Sequence, residues 1–213
     1  MKNIDEYLSS QPLCTTIINI SYMNLNSIPN LSRFTKITTL YCNDNQLIEL
    51  KNLPNTLQHL ICNNNRLIEL KNLPDTLTTI NCGYNQLTEL DNLPSKLIDL
   101  SCNDNQLTEL ENLPNTLQYL CCSVNQLSVL KNLPCTLKGL WCAWNRLTEV
   151  ENLPDTLDSL YCDSNQIMIL NQLPSALGIL RCNNNRLKVL DNLPSTLEHL
   201  YCDSNQYVNT FIL

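Results

Sequence analysis

The sequence is nearly without glycine: Gly83, Gly139 and Gly178 are the whole supply in 213 residues. Phosphate-cradling loops need several glycines within a few positions, so nucleotide-binding motifs of that type are excluded. Histidine is as scarce, with His59 and His199 alone. Basic side chains number 13 against 20 acidic ones, giving a net charge of -7. Nucleic-acid binding needs a basic patch or stripe, and this balance argues against it. No apolar run approaches the roughly 20 residues of a membrane-spanning helix, so no membrane partner is expected. The stretch Met1–Leu8 is acidic and lacks the apolar core of a signal peptide, so a cytoplasmic location is expected rather than export. Paired zinc ligands of the Cys-x-x-Cys type are missing, and no motif implies a cofactor or a metal.

What is present is order. The length suits one domain or two, and 43% hydrophobic residues suffice for a packed interior. Cysteine recurs every 20 residues from Cys42 to Cys202, and asparagine follows three residues later, from Asn45 to Asn205. Proline keeps the same period from Pro54 to Pro194. The unit reads L-x-x-L-x-C-x-x-N-x-L-x-x-L-x-x-L-P-x-x, nine times, with no insertion. A degenerate unit of 22 residues precedes them, with Ile20, Leu25, Ile28 and Pro29 in the leucine and proline slots and Met23 in the asparagine slot. Residues 1–16, with Ile4, Tyr7 and Leu8 at helical spacing, are expected to cap the array with a short helix. Residues 17–213 form the array itself. At its far end either Tyr207–Leu213 covers the last core or a partner does.

The unit resembles a leucine-rich repeat at the short end of that family's range. Its N-x-L-x-x-L-x-x-L-P stretch is most similar to the short repeats of YopM- and IpaH-type bacterial effectors, and giant-virus proteins with short leucine-rich repeats are similar too. The resemblance covers residues 17–213. It implies a repeat solenoid with a curved parallel β-sheet on the concave face and an extended or 3₁₀ convex side. It also implies a protein-interaction module or scaffold, a pathogen or viral factor acting in the host cytoplasm. The alternative is the substrate-recognition part of a larger enzyme system such as a ubiquitin ligase. An IpaH-type ligase carries a separate catalytic domain, and the array leaves no chain to build one, so this chain is not expected to be an enzyme. Cysteine in an aliphatic slot and a single proline per unit depart from the bacterial pattern.

Side-chain alternation puts leucine and cysteine on the inner face of each short strand. The cysteines are read as small apolar core groups. Disulfides are disfavoured because adjacent parallel strands point all these thiols the same way, and Cys121 and Cys135 fall in outward or turn slots. The asparagine column is expected to satisfy backbone groups of the bend. Residues after each proline read as turn formers. Glu49, Glu69, Glu89 and Glu109 form a solvated column. His59 and His199 lie seven units apart, on the order of 30 Å, and cannot share a metal or a proton.

Variation inside the fixed frame marks the candidate site. Tyr119, Cys121, Val124, Trp141, Trp144 and Tyr161 all fall in outward positions of three successive units, and both tryptophans are expected to be exposed. Such a cluster reads either as a hot spot for a protein partner on the concave face or as aromatics stacking along a sheet. Asp99, Asp104, Asp163 and Asp203 surround it and favour a basic partner.

Overall fold

The computed structural model describes residues 3–206. A short helix, α1 (Ile4–Ser10), precedes ten strands of three residues each. These are β1 (Ile17–Asn19), β2 (Thr39–Tyr41), β3 (His59–Ile61), β4 (Thr79–Asn81), β5 (Asp99–Ser101), β6 (Tyr119–Cys121), β7 (Gly139–Trp141), β8 (Ser159–Tyr161), β9 (Ile179–Arg181) and β10 (His199–Tyr201). All pair in parallel and in chain order within one sheet. Leu60 lies opposite Leu40 and Ile80. The first pairing sets Ile17 opposite Thr39, an offset that absorbs the longer first unit.

The strands are short because only one apolar residue per unit stands between outward neighbours before the chain bends. Leu40, Cys42, Leu47 and Leu57, with their equivalents in the turns through Leu187, are fully buried, and the Leu50 column lies beside them. Five inward columns therefore form one continuous core along the stack. The return path is extended. Its 3₁₀ character contracts to one turn per unit, in which the Leu57 N–H donates to the Pro54 carbonyl at 3.1 Å. Just before that turn the chain takes a left-handed conformation at Asn52, Asn72, Asn92, Asn112, Asn132, Asn152, Gln172 and Asn192, with φ between 51 and 55°. Asparagine tolerates this region better than most side chains, which accounts for the asparagine before each Leu-Pro pair.

Buried backbone groups of the bend are satisfied by the other asparagine column. The Asn105 amide nitrogen donates to the carbonyls of Cys82, Cys102 and Asn103, each at 3.1 Å. Its amide oxygen accepts the Leu87 N–H of the preceding turn at 2.9 Å. The pattern runs from Asn45 to Asn205. A second ladder, not anticipated from the sequence, is made by threonine. The Thr116 hydroxyl sits 2.9 Å from the Ser95 carbonyl and 2.7 Å from that of Leu97, and donates to this pair. Thr76, Thr136, Thr156 and Thr196 do the same, whereas Lys96 and Ala176 interrupt the row.

At the N-terminal end α1 buries Leu8 against the first turns. Asn3 caps this helix by accepting the Asp5 N–H. The Tyr7 hydroxyl accepts the Asn19 N–H at 3.1 Å, so the outer edge of β1 is partly satisfied. The Tyr207–Leu213 segment expected at the other end lies outside the described residues.

Leu100→Ala should cost about 2–5 kcal/mol as a core truncation. Asn105→Ala should cost about 1–3 kcal/mol by stranding backbone partners. Urea denaturation measures both, and a neutral Asn105→Ala would refute the structural role of the column.

Candidate protein-binding face

Three strands and the bends after them assemble the site. Tyr119 and Cys121 come from β6, Trp141 from β7 and Tyr161 from β8, while Val124 and Trp144 sit on the following bends. Parallel register with a 20-residue offset sets Cys121 opposite Trp141, and Trp141 opposite Tyr161. The rings of Trp141 and Tyr161 stack with centroids 5.9 Å apart and planes 29° from parallel. Tyr119 lies on the other side of Trp141, at 6.4 Å and a tilted angle.

The two indoles differ in exposure. Trp144 is 65% exposed, but Trp141 is half-buried. The reason is Gly139, over whose backbone the Trp141 ring folds. A Cβ on Gly139 would come within 2.5 Å of that ring. The expectation of two exposed tryptophans therefore holds for Trp144 alone; Trp141 forms a flat platform between two tyrosines. Tyr119 and Val124 are exposed, and Cys121 and Tyr161 are half-buried.

The platform continues further than the sequence suggested. Arg181 faces Tyr161 on one side and Tyr201 on the other. Its guanidinium carbon is 5.4 Å and 5.3 Å from the two ring centroids, within cation–π range. The signal was available in the alternation Trp141, Tyr161, Arg181, Tyr201 at one slot. Asp163 anchors the arginine: its Oδ2 lies 3.3 Å from Arg181 Nε, and its Oδ1 accepts from Asn183 N–H and Nδ2. Asp163 is thus buried and already partnered. Asp99, half-buried, has its carboxyl pushed up by burial; Asp104 is half-buried with its Oδ2 accepting from Asn103 Nδ2 at 2.7 Å, and Asp203 is exposed.

Other features carry no chemistry of their own. A groove of about 440 Å³ lies on the opposite side, between Glu69, Lys71, Asp75, Glu89 and Asp91. A similar crease recurs between Lys131 and Glu151, which marks it as a consequence of the repeat. Glu49 and Glu69 pair with Lys51 and Lys71 in solvent. No group of histidine, cysteine, aspartate and glutamate among the described residues could hold a metal ion.

Cys42, Cys62, Cys82, Cys102, Cys122, Cys142, Cys162 and Cys182 form a buried ladder. Burial pushes their thiols up, to about 12 at Cys42, Cys82 and Cys182 and well above the ordinary range at the other five. Cys14 and Cys135 are exposed.

A parallel sheet of three-residue strands, a leucine core, an asparagine ladder and an extended return path together define a leucine-rich repeat solenoid. The chain is a leucine-rich repeat protein with short, 20-residue units. It is similar to YopM from Yersinia enterocolitica, with 31% identity, a TM-score of 0.80, and coverage of 93% of this chain and 49% of that one. It therefore spans about half the length of YopM. A Shigella effector leucine-rich repeat domain is 28% identical over 71% of this chain and 70% of its own, with a TM-score of 0.64. The functional domain of InlJ from Listeria monocytogenes, which includes a cysteine ladder, is 26% identical over 92% of this chain and 41% of its own, with a TM-score of 0.69. No protein-family model matches the chain, and no curated protein matches it.

The thiols supply a test in pH. The folded state holds the ladder protonated, whereas unfolded cysteines ionise near ~8.5. Between that value and about 12 the folded chain binds more protons than the unfolded one, so stability falls as pH rises. Below pH ~8 the effect vanishes. Each thiol contributes a slope of up to about 1.4 kcal/mol per pH unit. Native labelling at neutral pH should modify Cys14, Cys121 and Cys135 well before Cys102 or Cys162. Uniform labelling of the twelve, or stability flat to pH 11, would contradict the buried ladder.

Proposed function

We propose that the chain is a protein-interaction module that binds a basic protein partner on its concave face, centred on Tyr119, Cys121, Val124, Trp141, Trp144 and Tyr161. One observation carries this reading: within a frame that hardly changes from turn to turn, large apolar groups concentrate on the solvent side of three adjacent turns. Trp144 at 65%, Val124 at 43% and Tyr119 at 39% exposure lie together there. Exposed clusters of this composition are typical of interaction hot spots, and solenoids use their concave sheets for binding. The concave positions also hold Asp44, Asp99, Asp104, Asp163 and Asp203 against the single cation Arg181. A basic surface is the complement.

The module acts by binding rather than by catalysis in this reading, and needs no cofactor. The buried thiol ladder suits a reducing compartment. Among the described residues no helix is long and apolar enough to cross a membrane. Similarity to the repeats of bacterial effectors supports action as a virulence factor in host cytoplasm.

Immobilised wild-type protein, Trp144→Ala and the double variant Trp141→Ala/Trp144→Ala test the reading. Truncating a central aromatic anchor typically costs 2 kcal/mol or more, about thirtyfold in affinity. Partners captured from host lysate by wild type and by Glu109→Ala should be lost with the double variant, and a purified partner should bind Trp144→Ala about thirtyfold more weakly. Trp144 is exposed, so its truncation should leave the thermal transition in place; Trp141→Ala should remove stacking of about 0.5–1.5 kcal/mol. Equal binding by a folded double variant would refute the assignment.

A further inference from the structure

Two rows of left-handed backbone run along the solenoid, and they are filled differently. On the return path the row holds asparagine in seven of eight turns, the exception being Gln172. The second row lies on the bends beside the concave face, with φ between 52 and 60° in ten turns. There only Asp44, Asn64, Asp104 and Asn184 are residues that tolerate the conformation well. Tyr22, Tyr84, Val124 and Trp144 occupy the same geometry. For a β-branched or bulky side chain this is a costly region, and valine is among the worst fits.

Neither packing nor the backbone accounts for the choice at Val124 and Trp144. Both side chains are exposed, so burial does not offset the strain. The bend cannot relax, because the Val124 N–H is held on the Ala143 carbonyl at 2.8 Å and the Trp144 N–H on that of Asp163 at 2.9 Å. Tyr22 differs, since its hydroxyl bonds Asp44. The return row shows that this sequence supplies asparagine where folding alone decides.

We propose that the consecutive bend residues Asp104, Val124 and Trp144, beside the Trp141 platform, recognise an arginine side chain on the basic partner. The same face already holds one guanidinium, that of Arg181, between Tyr161 and Tyr201. Adjacent turns are about 4.8 Å apart, so the three bend residues align a carboxylate, an apolar wall and an indole along one arginine's length. The alkyl stem packs along the Trp144 indole and Val124, which carries the guanidinium to the Asp104 carboxylate at the far end of the row. This assignment rests on the concave-face reading and refines it.

Trp141 and Trp144 are the only tryptophans, so their fluorescence reports on this site alone. An arginine-rich peptide without aromatics is titrated into wild type, Trp141→Ala, Gln172→Asn and the double variant Val124→Asn/Trp144→Asn, with a glutamate-rich peptide as control. Wild type and Gln172→Asn should give a saturable response to the arginine peptide only. The Val124→Asn/Trp144→Asn protein should bind at least about tenfold more weakly, yet melt about 2–4 °C higher because the strain is relieved. A melting point that rises with unchanged peptide affinity overturns the arginine assignment, and so does a lowered melting point. Wild type that ignores the arginine peptide also overturns it, while partner capture by the immobilised protein still stands as a separate test of the concave face. If Trp141→Ala and the bend variant both keep full affinity for peptide and captured partner, the concave-face reading falls too.

Discussion

One primary amide per turn holds the solenoid together. Each asparagine of the Asn45–Asn205 column serves backbone groups of its own turn and of the turn before, so neighbouring turns share a side chain as well as a sheet. A buried carbonyl or N–H left without a partner costs about 1–3 kcal/mol, and at Asn105 the Cys82 and Cys102 carbonyls and the Leu87 N–H depend on the amide, while the Asn103 carbonyl also accepts the Tyr84 N–H. The constraint fixes the rest. The amide fixes the spacing around the bend: even across the 22-residue first unit Asn45 reaches the Ile20 carbonyl and the Met23 and Leu25 N–H groups, the extra residues lying beyond Leu25 on the return path. Bringing the asparagine inward directly after an outward strand end demands a sharp bend, and the left-handed residue before it provides that bend. The strain at Val124 and Trp144 thus descends from the geometry that the amide imposes.

The leucine, cysteine and asparagine columns were legible because a strict period turns any inward slot into a visible column. The threonine ladder and the asparagine before each Leu-Pro pair were equally periodic. The threonines were missed because turn-forming character was a sufficient reading of Thr76, and a hydroxyl spanning two carbonyls of the turn before is a property of stacking rather than of one unit; the Asn72 column was missed because nothing in its spacing signals a left-handed backbone. Exposure was the least legible quantity. Alternation gives the direction of a side chain, but its cover comes from neighbours 20 residues away. Trp141 is half-buried because Gly139 leaves room beneath it and Tyr119 and Tyr161 flank it. Asp163, also outward, is buried by Asn183 and Arg181.

The division of labour between frame and variable positions gives the functional account its form. Inward slots are spent on a core and on hydrogen-bond ladders that hardly change from turn to turn. Outward slots are free of that duty, and their contents differ in every turn. Aromatic and apolar groups collect in the turns from Tyr119 to Tyr161, and a stacked guanidinium continues them to Tyr201. Carboxylates lie on both sides. A surface so arranged on a rigid stack presents a preorganised platform, which lowers the ordering cost of association.

Amide hydrogen exchange tests the central role of the asparagine column most directly. The Leu107 N–H donates to the Asn125 amide oxygen at 3.0 Å, and the Leu127 N–H makes the same bond to Asn145. In the wild-type protein both should exchange only through large-scale opening of the stack. In Asn125→Ala the Leu107 amide should exchange at rates near those of exposed turns, with Leu127 still protected. Unchanged protection of Leu107 in that variant would show that some other group satisfies the bend, and would contradict the account.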